Sequence, residues 1–316
     1  MGDDSWREID ITYRKMTESS KVINSIIWKG SEKAVVQISR LVFEVMMARI
    51  LIPSDFGVFT LLLTFIAISN IIIEGGLGTA LIQTDSFSED DPSTVLWMLL
   101  FMSSIIYLLL FVCGDSVAVF FEISGFSLYL KAIAITLFPS ALNSVQLSVA
   151  MREMKFRAIF VSNSVAIILS GIVAVILALK GFGVWSLVLQ YFLQISISCI
   201  VMVIMASWRP KLVFSMKRGK SLFSFGWKLM LANLLNRGYG EVYKLLIGKF
   251  FSTTILGFYN RGKLFPGALE NGLTSIVTTV LLPVLSRMQD NIAKMNNQIQ
   301  FYIQMMTFFV APLFFG

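Results

Sequence analysis

Long apolar runs follow one another from residue 22 to the end of this 316-residue chain, and they restrict its fold more than any other feature. Each run is long enough for a helix to cross a hydrocarbon core of about 30 Å. Hydrophobic residues make up 56% of the sequence and charged residues 14%, whereas a soluble domain has about 25% charged residues. The alternating ten-residue segments typical of a membrane β-barrel do not occur in the sequence. The sequence therefore predicts an all-α polytopic membrane protein.

The charge and the rare residue types exclude several functions. The net charge is +7, but the cations lie mainly in short loops between apolar runs, so membrane topology explains them better than nucleic acid does. The two cysteines, Cys113 and Cys199, fall inside apolar runs and show no metal-ligand spacing. Histidine is absent, which removes the commonest general base and metal ligand. We expect no catalytic residue, no metal site and no nucleic-acid partner.

An internal repeat divides the chain. The stretch from Lys33 to Gly57 aligns without a gap on the stretch from Asn233 to Gly257, 200 positions later. The aligned pairs include Phe43 with Tyr243, Arg49 with Lys249, Leu51 with Phe251 and Phe59 with Tyr259. Such repeats are typical of transporters built from two membrane lobes. We predict a two-lobed helical bundle whose lobes line a shared polar space.

The sequence predicts about nine transmembrane helices. A polar tail covers residues 1–21, a first lobe of six helices 22–208, a basic cytoplasmic linker 209–220, and a partial second lobe of about three helices 221–316. The predicted helices are Val22–Ile50, Phe56–Ile82, Thr94–Phe121, Ser127–Met151 with a kink at Pro139, Ala158–Leu179, Val184–Ser207, Ser221–Phe250, Ile255–Leu285, and one that begins near Ile299.

The distribution of lysine and arginine predicts the orientation. The loops around residues 152–157 and 209–220 are rich in cations and the intervening loops are poor in them, which favours a cytoplasmic N-terminus. Residues 1–21 lack the apolar core of a signal peptide, and Met16 is as good a start as Met1. The chain stops within an apolar run, so we expect an incomplete second lobe that lacks roughly 90 residues.

Polar residues form stripes on helices that are otherwise apolar. On the first helix they are spaced i, i+4, i+7 and i+11, which places them on one helix face, and the repeat carries a similar stripe. The second helix of each lobe adds residues in matching register. The predicted substrate-cavity residues are Lys33, Gln37, Arg40, Glu44, Asn70, Glu74, Asn233, Arg237, Glu241, Lys244 and Glu270.

The stripes have alternative explanations. Arg40 with Glu44, and Glu241 with Arg237 or Lys244, lie within one helical turn and can form ion pairs that only tolerate burial. If they line a cavity, the cations suit an anionic substrate. The carboxylates then bind sugar hydroxyls, couple H⁺ or Na⁺, or balance the cations. No other cofactor is indicated.

Several motifs occur along the chain and together cover almost all of it after Met16. They are ARILIPSDFGVF (48–59), GGLGTALIQ (75–83), GFGVWSLVLQ (181–190), SWRPKLVFS (207–215), SFGWKLMLANLL (224–235), IGKFFSTTILGFYNRGKLFP (247–266) and LLPVLSRMQD (281–290). These motifs resemble those of bacterial polysaccharide transporters of the Wzx type, which are lipid-linked oligosaccharide flippases of the multidrug/oligosaccharidyl-lipid/polysaccharide exporter superfamily.

The resemblance implies a bundle of usually twelve or more helices that opens alternately to the two sides of the bacterial inner membrane. Its cargo would be an undecaprenyl-diphosphate-linked oligosaccharide for O-antigen, capsule or exopolysaccharide, and a polysaccharide polymerase and glycosyltransferases would be partners. Two alternatives stay open. One is the export of another cargo, either the peptidoglycan lipid precursor or a drug, and the other is a membrane scaffold of polysaccharide assembly that transports nothing.

Overall fold

A computed structural model describes residues 35–84, 87–206 and 208–263 of the chain, together with positions 267, 300, 304 and 307. Within these ranges the secondary structure is helical and contains no strand. The helices are α1 (35–50), α2 (Pro53–Glu74), α3 (Leu77–Gln83), α4 (Asp91–Phe121), α5 (Phe126–Ala134), α6 (Leu137–Arg152), α7 (Phe156–Leu179), α8 (Val184–Met205), α9 (Met216–Phe250) and α10 (Thr253–Gly262).

Five helical segments of the described part are long and apolar enough to cross a membrane. They are α2, α4, α7, α8, and α5 and α6 taken together. α9 is longer still, at 35 residues, but more polar. The prediction of an all-α polytopic membrane protein is therefore confirmed.

The predicted second helix is interrupted by two glycines. Gly75 and Gly76 have φ angles of 52° and 70°, in the left-handed region that residues with a Cβ disfavour. α2 ends there at Glu74 and α3 begins at Leu77. The prediction of a single helix over residues 56–82 was wrong, because the two glycines form a turn that ends one helix before the next begins.

The predicted fourth helix is also two helices, α5 and α6. The break lies at residues 135–136, where the Thr136 hydroxyl donates to the Ile133 carbonyl at 2.6 Å. Pro139 lies in the first turn of α6, where backbone N–H groups have no carbonyl partner within the helix. The N–H that proline lacks therefore costs no hydrogen bond. The proline thus interrupts the helix as expected, although the break precedes it.

α9 begins five residues before its predicted start. The Ser215 hydroxyl accepts from the Arg218 backbone N–H and caps the helix. Part of the basic connection 209–220 is therefore helical. The ends of the remaining described helices lie within about three residues of the prediction. The start of the first predicted helix, most of the eighth and nearly all of the ninth lie outside the described residues.

The repeat recurs in the backbone. Both copies have a two-residue break, at 51–52 and at 251–252, followed by a helix that begins at Pro53 or Thr253. These starts also touch each other, because the Thr253 carbonyl occupies the place of a Cβ on Gly57, and the Pro53 carbonyl the place of a Cβ on Gly257. If each residue is replaced by its counterpart 200 positions away, one contact becomes the other. This is expected for repeats related by a pseudo-two-fold axis.

The chain divides into two compact units, Met1–Phe258 and Tyr259–Gly316. Inside the first unit, α1 packs against α7, where Met47 and Leu51 meet Ala174 and Ala178. α7 and α8 form a tight pair, and α6 lies between α4 and α8. Large apolar side chains cover much of the outer surface, as expected for helices in lipid.

α9 runs antiparallel to α2 and meets it at two glycines. A Cβ on Gly226 would lie 2.5 Å from the Gly75 carbonyl oxygen, and one on Gly248 would meet Leu61. Small residues allow membrane helices to approach this closely.

We predict opposite effects from one substitution at two glycines of α9. Gly226→Ala should lower the free energy of unfolding by about 1–3 kcal/mol, because its methyl group would overlap the Gly75 backbone. Gly240→Ala, which has open space around it, should be neutral or stabilising by up to about 1 kcal/mol through helix propensity. Thermal unfolding of the detergent-solubilised protein measures both. Equal midpoints would show that α9 does not approach α2 at Gly226.

Candidate substrate cavity

A polar seam joins α2 and α3 to α6, which run parallel. The Ser140 hydroxyl lies 3.4 Å from Asn70 Oδ1. One turn further along, the Ser144 hydroxyl donates to the Glu74 carboxylate. The seam continues beside Gly78, where a Cβ would lie 2.9 Å from the Ser148 hydroxyl.

The seam ends at Arg152, the last residue of α6. Its guanidinium donates to the carbonyls of Leu81, Ile82 and Thr84 at 2.9, 2.9 and 3.0 Å. It thereby caps the C-terminus of α3, where a cation also complements the helix dipole. The same guanidinium lies 4.4 Å from the centroid of the Phe87 ring.

Glu74 is the point at which four helices bring polar groups together. Its carboxylate accepts from Ser144 of α6 and lies within electrostatic range of the Arg237 guanidinium of α9. The Tyr191 hydroxyl of α8 is also within electrostatic range of the carboxylate. The Tyr191 ring packs edge-on against Phe59 of α2. The structure thus brings together the predicted residues Glu74 and Arg237, which are 163 positions apart in the sequence.

The polar face of α9 continues beyond Arg237. Lys244 Nζ lies 2.7 Å from Glu241 Oε1 in an ion pair whose side chains are mostly buried. The other carboxylate oxygen of Glu241 has no hydrogen-bonding partner among the described residues. On the adjoining face the hydroxyls of Tyr239 and Tyr243 lie 3.1 Å apart.

The remaining predicted residues differ in exposure. Arg40 of α1 and Asn233 and Arg237 of α9 are exposed, which leaves their side chains open to a polar ligand. Gln37 and Glu44 are half-buried. Lys33 and Glu270 lie outside the described residues.

Sequence reasoning missed Tyr191 as a member of this site. Tyrosine is common as a packing or interfacial residue of membrane helices, so its type carries little signal. Its neighbour Gln190 makes this the most polar part of an otherwise apolar stretch of α8, which is the signal that was available.

The described residues contain no group of three or more His, Cys, Asp or Glu able to hold a metal ion. Cys113 is exposed and Cys199 is buried. What the site offers is hydrogen-bonding and charged groups, with cations and carboxylates in proximity. Such a set can bind a polar or anionic ligand.

Buried polar groups on several membrane helices define a class of polytopic membrane proteins that handle polar molecules within the bilayer. The comparison with known families narrows that class. Residues 46–316 match the family described as "Polysaccharide biosynthesis protein". The chain therefore belongs to the polysaccharide biosynthesis protein family, as its motifs suggest.

Curated relatives agree with this assignment. The chain is 27% identical to the succinoglycan biosynthesis transport protein ExoT of Rhizobium meliloti, with 85% of this chain and 55% of ExoT aligned. It is 24% identical to the teichuronic acid biosynthesis protein TuaB of Bacillus subtilis, over 69% of this chain and 46% of TuaB. It is 20% identical to the lipopolysaccharide biosynthesis protein WzxC of Escherichia coli, over 91% of this chain and 58% of WzxC. The chain spans about half the length of these relatives. No solved structure matches it.

We predict that Glu74 and Arg237 are energetically coupled. The double variant Glu74→Gln/Arg237→Gln should be less destabilised than the sum of the single variants, by about 0.5–3 kcal/mol, because each single change leaves one charge without its neighbour. Thermal unfolding in detergent gives the three differences. Glu74→Gln combined with Lys180→Gln, at the turn after α7, should be additive within about 0.5 kcal/mol. Additivity in both pairs would contradict the proximity of Glu74 and Arg237.

Proposed function

We propose that the protein is a flippase that moves undecaprenyl-diphosphate-linked oligosaccharides across the bacterial inner membrane. The observation that carries this proposal is the convergence of Glu74, Ser144, Tyr191 and Arg237 from four helices. A charge at the centre of a bilayer costs at least about 2.5–3.5 kcal/mol. A carboxylate such as Glu74 in an apolar helix is retained chiefly for function.

The chemistry of the site suits a cargo with two different polar parts. A guanidinium binds a phosphate through two parallel hydrogen bonds, and Arg40 and Arg237 are both exposed for such contacts. The Glu74 carboxylate can accept hydrogen bonds from sugar hydroxyls, and the Asn70 amide can both accept and donate them. One carboxylate oxygen of Glu241 has no hydrogen-bonding partner in the part of the chain that the structure describes. The diphosphate would therefore contact the arginines while the sugars contact the carboxylates and amides. The polyprenyl tail would stay in lipid.

The repeat supports a mechanism of alternating access. Related lobes commonly rock about a site at their interface. Loops rich in cations lie at the end of the bundle where Arg218 contacts Asp91, which favours the cytoplasm for that end. The contact of Gly57 with Thr253 and of Gly257 with Pro53 lies at the opposite end of α2 and α9. In the proposed cycle this contact closes the outer side and parts when the cargo leaves.

The names of relatives support export over other roles. ExoT is named as a transport protein of succinoglycan biosynthesis, and WzxC as a protein of lipopolysaccharide biosynthesis. Neither name is that of an enzyme. A cationic drug would favour a net acidic site, whereas Arg40, Arg237 and Lys244 supply cations beside the carboxylates.

We predict that Arg237 acts through its guanidinium. Arg237→Ala should reduce polysaccharide export at least about tenfold, and Arg237→Lys should reduce it less, because lysine keeps the charge but loses the paired hydrogen bonds. The same order is expected at Arg40. Lys228→Ala, an exposed cation nearer the cytoplasmic end of α9, is the matched control and should export normally. Surface polysaccharide normalised to protein in the membrane is the readout. Normal export by both arginine-to-alanine variants would remove these residues from the mechanism.

The function itself is tested by complementation. A bacterial strain that lacks its own oligosaccharide flippase receives either the 316-residue chain or a version extended to the length of its relatives, and surface polysaccharide is measured. Restoration by either version supports the proposal, and comparison of the two shows how much of the second lobe transport needs. If both versions reach the membrane and neither restores polysaccharide, with matched sugar substrates supplied, the proposal is wrong. Another cargo or a scaffold role would then be favoured.

A further inference from the structure

The extended segment 208–215, which connects α8 to α9, is fixed against the start of α4. The Lys211 backbone N–H donates to the Ser93 hydroxyl at 3.2 Å, and the Lys211 carbonyl accepts from Trp97 Nε1 at 3.2 Å. Further along, the Ser215 N–H donates to the Thr94 hydroxyl at 3.2 Å. The connection is therefore held in one place by hydrogen bonds to α4.

An ion pair anchors the end of this segment. Arg218, in the first turn of α9, donates from Nε to Asp91 Oδ1 at 2.7 Å and also contacts Oδ2. Asp91 is fully buried and accepts from the Ser88 N–H as well. Two hydrogen bonds between a guanidinium and a carboxylate fix orientation as well as distance.

The fixed segment turns apolar side chains outward. Leu212 is 90% exposed and Met216 is 72% exposed, although neither is polar. Leu212 and Phe214 form a cleft of about 360 Å³ with Trp97 and Phe101 of α4. This cleft is open to its surroundings and is lined by four large apolar side chains, so a hydrocarbon chain can lie in it.

The cleft is continuous with the lipid-facing surface of α4. Trp97 and Phe101 begin a row of exposed apolar side chains that continues through Ile105, Leu108 and Val112. These positions are spaced by three or four residues and so share one helix face. An acyl chain of the bilayer that lies along this face can therefore extend into the cleft. Tryptophan at its mouth is typical of the level of the lipid headgroups.

Exposed cations lie close to the cleft residues in the sequence. Lys211 and Lys217 are exposed and lie next to the apolar side chains in the sequence, and Arg209 and Lys220 are exposed nearby. The exposed Glu89 carboxylate, 3.4 Å from Lys211 Nζ, is the acidic side chain that faces this group in the described contacts. The balance of charge favours an anionic headgroup.

We propose that this cleft binds an anionic glycerophospholipid of the surrounding leaflet. One acyl chain lies between Trp97, Phe101, Leu212 and Phe214, and the phosphate contacts Lys211 and Lys217. The inference does not rest on the proposed flippase activity. The membrane lipid is favoured over the cargo lipid because the cleft adjoins the outer face of α4, whereas the residues proposed to contact the cargo lie on α1, α2, α6, α8 and α9. The bound lipid would fix the linker between the two repeats to the membrane surface.

Fluorescence quenching tests the proposal on the full chain. A variant that keeps Trp97 as its one tryptophan is placed in phosphatidylcholine vesicles that contain a minority of phosphatidylglycerol. Bromine, which quenches on contact, is carried on the acyl chains of either the phosphatidylglycerol or an equal minority of the phosphatidylcholine. We expect brominated phosphatidylglycerol to quench Trp97 several-fold more strongly, because each nearby cation enriches anionic lipid by roughly fivefold. The difference in fluorescence between the native chain and its Trp97→Phe variant is the Trp97 signal. It allows the same comparison of the two brominated lipids without removal of the other tryptophans.

Variants separate this site from general attraction to the membrane. Lys211→Gln/Lys217→Gln should make quenching by the two lipids equal, and Leu212→Asn should weaken quenching by both. Arg49→Gln/Lys180→Gln, which removes two exposed cations at the opposite end, should change neither. Equal quenching of Trp97 by the two lipids in the single-tryptophan chain, with its lysines and Leu212 unchanged, would overturn the proposal. So would displacement of phosphatidylglycerol by trace polyprenyl diphosphate, which would assign the cleft to the cargo lipid.

Discussion

The backbone must satisfy its own hydrogen bonds inside a bilayer, and the described helices show how this chain meets that constraint where a helix stops. The break at Gly75 and Gly76 is covered by α9, whose Gly226 backbone packs directly against it. The short helix that follows is closed by the Arg152 guanidinium, which accepts no hydrogen bond but donates to three of its terminal carbonyls. The interruption at Gly75 and Gly76 is therefore supported on both of its sides by other helices.

The same arrangement explains why charge is tolerated next to the break. Glu74 is the last residue of α2, so its carboxylate lies where the chain turns and neighbouring helices converge. Ser144, Tyr191 and Arg237 supply a hydrogen bond, a hydroxyl and a positive charge. A carboxylate in a continuous apolar helix would lack these hydrogen-bonding and charged neighbours. It would then move out to water or take up a proton. Backbone irregularity and buried polarity thus occur together.

The sequence predicted the order of the described helices and most of their ends, because apolar runs are local signals. It predicted one helix where the structure has two at Gly75–Gly76 and at residues 135–136. The repeat was equally visible, and its two breaks lie 200 residues apart in the structure as well. The spacing of polar residues within one helix shows that they share a face, but it cannot show which distant helix that face contacts. It grouped Arg237 with Glu241 and Lys244 on one face, and Glu74 was predicted for the same cavity from the polar register of the second helix. The structure adds Tyr191 of α8, which was not predicted. The Asp91–Arg218 pair, 127 residues apart, was missed for the same reason.

The seam between α2–α3 and α6 has a consequence for how this part of the chain can change. Residues 70, 74, 78 and 82 of one strip face 140, 144, 148 and 152 of the other, so these four contacts share an offset of 70 residues. An insertion of one residue in either helix would turn its later positions by about 100° and separate all the contacts beyond it. An insertion of a whole turn would shift the partners but keep the faces together. We therefore expect insertions and deletions to be tolerated in the loops but not along this seam, where a single register holds the helices together.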